Sequence, residues 1–173
     1  LMNGSIRVSS VPGEGSCFEI RLPYRACENM APPDAALNLQ PGDGTRLQGV
    51  RILVAEDNEV NQLVIDAMLT NEGAELVLAG NGQEAVERVI EKGAQYFQLV
   101  LMDIQMPVMD GYEAARQIHT LAPDLPIIGQ TAHALPEDRR KCLAAGMVDH
   151  IAKPFEPDSL ISVLKSHLRP ASG

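Results

Sequence analysis

From Val50 onward the sequence alternates short apolar runs with amphipathic stretches, five times in succession, and this limits the folds open to the chain. "VRILVA", "AELVLA", "LVLM", "LPIIGQ" and "DHIA" are the apolar runs. They are short and rich in branched side chains, as strands are. The stretches between them carry helical spacing. In "NEVNQLVIDAML", Val60, Leu63, Val64, Ala67 and Met68 recur at one-turn intervals and predict one buried stripe, with Gly73 at the expected stop. "NGQEAVERVI" opens with Asn81 and Glu84 in capping-box spacing and is expected to bury Ala85, Val86, Val89 and Ile90. "GYEAARQIHTL" follows Asp110, read as its N-cap. "EDRRKCLAAG" is a weaker, more polar helix, and "PDSLISVLKSHL" starts with Pro157 at its first position.

Strand–helix alternation with short connections means a parallel sheet whose right-handed crossovers lay helices on both faces. Strands covered on both faces read as unbroken apolar runs, as "ILVA" and "LVLM" do. The expected fold class is therefore α/β, doubly wound. Half of a dinucleotide-binding fold is one candidate. A flavodoxin-like five-stranded parallel sheet of order 2-1-3-4-5 is the other, and it fits the length better.

The first 49 residues have a different texture. Residues 1 to 24 alternate apolar and polar positions around a Pro-Gly turn, which predicts a hairpin. A lone hairpin is marginal in water, so this one is expected to belong to a larger sheet. Residues 25 to 49, rich in Pro, Ala, Gly and Asp, read as a flexible linker before a domain spanning residues 50 to 169. The net charge of −9 argues against a nucleic-acid partner. Cys17, Cys27 and Cys142 show neither a disulfide framework nor zinc spacing, so a reducing cytoplasm is the expected location.

In a sheet of this kind ligands bind at the carboxyl ends of the strands. This chain puts Glu56, Asp57 and Asn58 after the first strand of the repeat, Asp103 after the third, Thr131 and Ala132 after the fourth, and Lys153 after the fifth. Each is unremarkable alone, as a solvated loop, a cap or a structural Lys-Pro. Their coincidence at successive strand ends predicts one shared site. Two carboxylates about 4 Å apart repel by roughly 4 kcal/mol at an effective dielectric near 20. Lys153 offsets one of three negative charges and a divalent ion offsets two, which brings the sum to zero. Mg²⁺ (or Mn²⁺) suits hard oxygen ligands and retains waters that a phosphate can replace. The site then reads as one for phosphoryl transfer. Asp103 is the expected acceptor nucleophile. Glu56, Asp57, Asp103 and the backbone carbonyl of Gln105 are the expected metal ligands, and Lys153 and Thr131 the groups that meet phosphoryl oxygens.

"ILVAEDNEVNQ", "LVLMDIQMPVMDGYEAAR", "TAHA" and "GMVDHIAKPF" together resemble the receiver domain of two-component response regulators, and "EDN-x-x-N" resembles the variant found in hybrid sensor kinases. The resemblance implies phosphate taken from a kinase histidine, a Mg²⁺ requirement, slow self-dephosphorylation, and onward transfer to a histidine phosphotransfer partner. It also implies a switch made by Thr131 and an aromatic residue three before Lys153, a position held here by His150. The N-terminal "GSIRVSSVPGEGSCFEIRLP" resembles the closing hairpin of a histidine-kinase ATP-binding domain. The implied parent is a bacterial hybrid kinase anchored in the inner membrane. Two other readings differ in class: an unphosphorylated docking module that regulates its kinase by contact, and a free-standing phosphohydrolase. The second would carry a DxD pair, whereas Gln105 stands two after Asp103.

Overall fold

The computed structural model describes residues 5–11, 15–21, 46–93, 95–132 and 135–168. The expected Pro-Gly turn, most of the expected linker (25–45) and position 169 lie outside those residues. Two units are present, Leu1–Asn38 and Leu39–Gly173.

The first unit holds a two-stranded antiparallel ribbon, β1 (Ser5–Val11) and β2 (Gly15–Arg21), in a register running from Ser5 opposite Arg21 to Val11 opposite Gly15. Its described side chains are exposed on both faces, Val8 (59%) and Val11 (51%) among them.

The second unit runs β3 (Arg51–Ala55), α1 (Glu59–Thr70), β4 (Glu75–Ala79), α2 (Gly82–Lys92), β5 (Leu99–Asp103), α3 (Gly111–Leu121), β6 (Ile127–Thr131), α4 (Pro136–Ala144), β7 (Asp149–Ala152) and α5 (Pro157–His167). All sheet pairings are parallel and the order is β4-β3-β5-β6-β7, the expected 2-1-3-4-5. β5 and β6 are buried at every position, their apolar residues and the polar Asp103, Gln130 and Thr131 alike. Alternate strand residues feed two cores. Leu53, Val100, Met102 and Ile127 join Ala85, Val89 and Ile118 of α2 and α3, while Ile52, Leu101, Ile128 and Ile151 join Ile65, Leu69 and Leu160 of α1 and α5.

The caps follow the sequence. Asn58 accepts from the amides of Val60 and Asn61, Asn81 from that of Glu84, and Asp110 from that of Glu113. Two helix faces differ from expectation. In α1 the buried residues are Ile65 and Leu69, while Val60 is 66% and Leu63 70% exposed. At roughly 100° per residue, Leu63 and Ile65 point to opposite sides of the helix. α1 is apolar on two faces, and periodicity does not say which one meets the sheet. In α2, Ile90 is 63% exposed because Ala85, Val86 and Val89 already fill the contact. Packing also extends before Val50. Leu47, in the segment read as linker, is fully buried with Ile52 and Leu69, and its amide donates to the Glu72 carbonyl. Arg46 beside it donates to Glu72 (2.7 Å) and Asp158 (2.8 Å).

Candidate functional site

β3 and β5 are adjacent strands with Ala55 opposite Met102, so the residues that follow, Glu56 and Asp103, emerge side by side at the carboxyl edge. Oxygens of Glu56, Asp57 and Asp103 lie within 4.8 Å of one another. Glu56 and Asp103 are buried, and Asp57 is exposed. Lys153 follows the last residue of β7, with a cis bond to Pro154 after it. Its Nζ donates to Glu56 Oε2 (2.6 Å) and Asp103 Oδ2 (2.7 Å). Burial works against the lysine's charge, but its bonds to Asp103 and Glu56 prevail and hold its pKa above the ordinary value.

The remaining oxygens are also held. Glu56 Oε1 accepts from Asn61 Nδ2 (2.7 Å), and Gln62 Nε2 donates to the Glu56 carbonyl. Asp103 Oδ1 accepts from the Gln105 amide (3.2 Å). Asn61 and Gln62 had no role assigned from sequence. Their signal is an amide-bearing first helical turn immediately after the acidic pair, within reach of Glu56. Glu56, Asp57, Asp103, Gln105 and Lys153 line one cavity of about 530 Å³, with Ile65, Met68 and Phe155 on its apolar side.

Behind the acceptor, the loop between β5 and α3 packs backbone on backbone. The Gly111 amide donates to the Ile104 carbonyl (3.0 Å). A Cβ at Gly111 would meet the Asp103 carbonyl and come within 2.9 Å of Ile104 Cα, so a side chain there collides with the backbone of the acceptor.

Thr131 ends β6 and is buried. It lines a neighbouring cavity that shares Gln105 and Ala132 with the first. His150 on β7 stands opposite Gly129, so it shares a sheet face with Thr131. Its ring is mostly buried and its Nδ1 has no hydrogen-bond partner among the described residues. Asp149 next to it pairs with His167 (3.1 Å). Burial resists ionisation of Asp149, but the His150 amide and the His167 ring hold its pKa below the usual carboxylate range. The structure thus gathers Glu56, Asp57, Asp103, Gln105 and Lys153 in one cavity, with Thr131 next door and His150 outside both.

Residues 52–165 match the family model described as the response regulator receiver domain. The chain belongs to that family. Among curated relatives, the receiver and its N-terminal extension are 33% identical to the Sensor protein TorS of Escherichia coli over 97% of this chain and 18% of that protein. The chain thus spans less than a fifth of that relative. Among solved structures, the receiver domain of the sensor histidine kinase PA1611 of Pseudomonas aeruginosa is 42% identical, with a TM-score of 0.61 over 69% of this chain and 97% of that one. That receiver was solved with a magnesium ion coordinated in its active-site cleft. The co-crystal of the Saccharomyces cerevisiae histidine phosphotransfer signaling protein Ypd1 with the receiver domain of Ssk1 matches at 31% identity and a TM-score of 0.64, covering 70% of this chain and 90% of that one. Among the described residues no helix is long and apolar enough to cross a membrane.

Proposed function

We propose that this receiver domain takes a phosphoryl group from a phosphohistidine onto the Asp103 carboxylate and passes it to a histidine phosphotransfer protein. The observation that carries the reading is Lys153 bridging Asp103 and Glu56 at 2.7 and 2.6 Å, which ties three strand ends into one charged site. A carboxylate oxygen of Asp103 attacks phosphorus, the P–N bond to the donor imidazole breaks, and the departing nitrogen keeps the electron pair. Lys153 then shifts a donor from the carboxylate to a phosphoryl oxygen, and Thr131 meets another across the shared wall of the two cavities.

The donor set fits Mg²⁺ (or Mn²⁺): hard oxygens of Glu56, Asp57 and Asp103 close together, with Lys153 offsetting only one of their charges. Those three and the Gln105 carbonyl would hold the ion. When bound, it would neutralise charge on the transferring group. Asn61 and Gln62 keep Glu56 in place for this role.

The exposed apolar face of α1 supports the partner. Val60 and Leu63 stand in solvent on the helix whose Val64 and Met68 line the Asp103 cavity. A phosphotransfer helix carrying its histidine to Asp103 would cover them. His150 shares a face with Thr131 and is read as the residue that follows it between states. The TorS match runs through nearly the whole chain, hairpin included, which supports a hybrid sensor kinase as parent and the hairpin as the end of its kinase domain. A cytoplasmic site with the parent anchored in the inner membrane is part of the same reading.

Acetyl phosphate with Mg²⁺ tests the assignment. Wild-type protein should acquire a hydroxylamine-sensitive phosphate and Asp103→Asn should not. Equal labelling of the variant would refute Asp103 as acceptor, and an unlabelled wild type would leave a docking module in its place.

A further inference from the structure

The site contains a buried polar group that the reaction above does not use. Gln130, on β6, stands opposite Asp103 of β5 and Ile151 of β7. Opposed residues in a parallel pair share a face, so its side chain projects beside the acceptor carboxylate. The rungs below it on that face, Leu101 and Ile128, are apolar and buried. Gln130 is fully buried (0% exposed), yet neither its amide nitrogen nor its amide oxygen has a hydrogen-bond partner among the described residues. It lines the cavity that holds Glu56, Asp103 and Lys153.

A fully buried amide with both ends unpaired is costly, and native cores contain few. Leucine or methionine would fill the same space among apolar neighbours at no such cost. The glutamine therefore makes sense if its partners arrive in another state of the site. Two sets of unused valences lie in the same cavity. The Lys153 ammonium has three N–H groups and gives two, to Glu56 and Asp103. A phosphoryl group on Asp103 adds oxygens that need donors.

We propose that Gln130 is a positioning residue for the phosphorylated site: its amide oxygen accepts from Lys153 while its amide N–H meets a phosphoryl oxygen on Asp103. The proposal rests on the acceptor reading above and extends it to a residue outside the acid cluster. Gln130 thereby holds the lysine on the phosphoryl group once the carboxylate has become an acyl phosphate. No bond is made or broken at Gln130 itself.

The full chain, labelled with ¹⁵N, tests this. The Gln130 side-chain N–H pair is assigned by its loss in Gln130→Met. Mg²⁺ is added first, then beryllofluoride, whose fluorides occupy the places of phosphoryl oxygens. The pair should move, and its exchange with solvent should slow, at the second addition. Gln130→Met and Gln130→Leu should lower steady-state phosphorylation by acetyl phosphate about tenfold, the worth of one hydrogen bond to a charged group. Both should keep the wild-type Mg²⁺ affinity within about twofold and a thermal midpoint equal to wild type or higher, because an unpaired amide has been replaced by an apolar group. A purely structural glutamine would lower the midpoint on replacement and leave the labelling alone. Wild-type labelling in both variants overturns the proposal whether or not the amide signals move. Failure of the wild type to label, or labelling of Asp103→Asn, identifies instead a failure of the acceptor reading.

Discussion

Replacing Lys153 by methionine isolates the charge balance of the site, because methionine keeps most of the stem and removes only the ammonium. In the native arrangement the lysine bonds to two buried carboxylates whose nearest oxygens, with that of Asp57, lie within 4.8 Å of one another. Without it, Glu56 and Asp103 face each other uncompensated. At that separation and an effective dielectric near 20, their repulsion is about 3 kcal/mol. Removing one partner from a buried ion pair costs a similar amount, about 3–5 kcal/mol. The variant should therefore lose about 3 kcal/mol of unfolding free energy in metal-free buffer, near 12 °C in midpoint for a domain of this size. Mg²⁺ provides the decisive comparison. A divalent cation among the three acids replaces the missing charge, so it should stabilise Lys153→Met more than wild type, by at least about 1 kcal/mol, or roughly fivefold in affinity. Urea unfolding followed by circular dichroism, with and without saturating Mg²⁺, measures both quantities, since the chain has no tryptophan to report by fluorescence. If the variant loses the same stability in both buffers, Lys153 acts by packing and the electrostatic argument is wrong.

Two further outcomes follow from the geometry. Gly111→Ala places a Cβ against the Asp103 carbonyl and within 2.9 Å of Ile104 Cα, where no flexible side chain can yield. It should cost about 1–3 kcal/mol by overpacking and, by displacing the acceptor, reduce acetyl phosphate labelling far more than Gly80→Ala, whose Cβ meets only the end of Glu84; equal labelling of the two variants would refute the steric coupling. Arg46→Met should flatten the acid limb of stability. Arg46 holds the Glu72 carboxyl below its ordinary value of 4.5, so the pair's contribution is complete above that value and is lost as pH falls through the lowered one. Unfolding profiles between about pH 3 and 7 that stay superimposable for variant and wild type would remove the pair from the stability of the domain.

The five-unit sheet and the acid cluster were legible in the amino-acid sequence because they depend on local pattern, and the chain length favoured the strand order over half of a dinucleotide-binding fold. Within five-fold strand–helix alternation, an unbroken apolar run such as "LVLM" reads as a strand covered on both faces, and a carboxylate at its end emerges at the sheet's edge. Once the strands are parallel, Glu56, Asp103, Thr131 and Lys153 come to the same edge whatever the packing details. Asp110 was separable from Asp103 for the same reason: with Gly111 after it and Glu113 three residues on, it caps a helix.

What needed the tertiary structure was every choice among equivalent local options. The sequence of α1 is apolar on two faces, and only the sheet selects Ile65 and Leu69 for the core and leaves Val60 and Leu63 in solvent. Leu47 looks like any residue of a Pro- and Gly-rich segment until the groove that takes it is formed by Ile52 and Leu69. Lys153 and Glu56 are 97 positions apart, and their 2.6 Å contact depends on the order of the strands that carry them. Gln130 reads from sequence as one more residue of a strand; that it stands beside Asp103 with both ends of its amide unpaired is a property of the assembled core. Periodicity encodes which element a segment forms, whereas which of its faces is buried and which polar groups meet are decided by contacts between segments distant in the sequence.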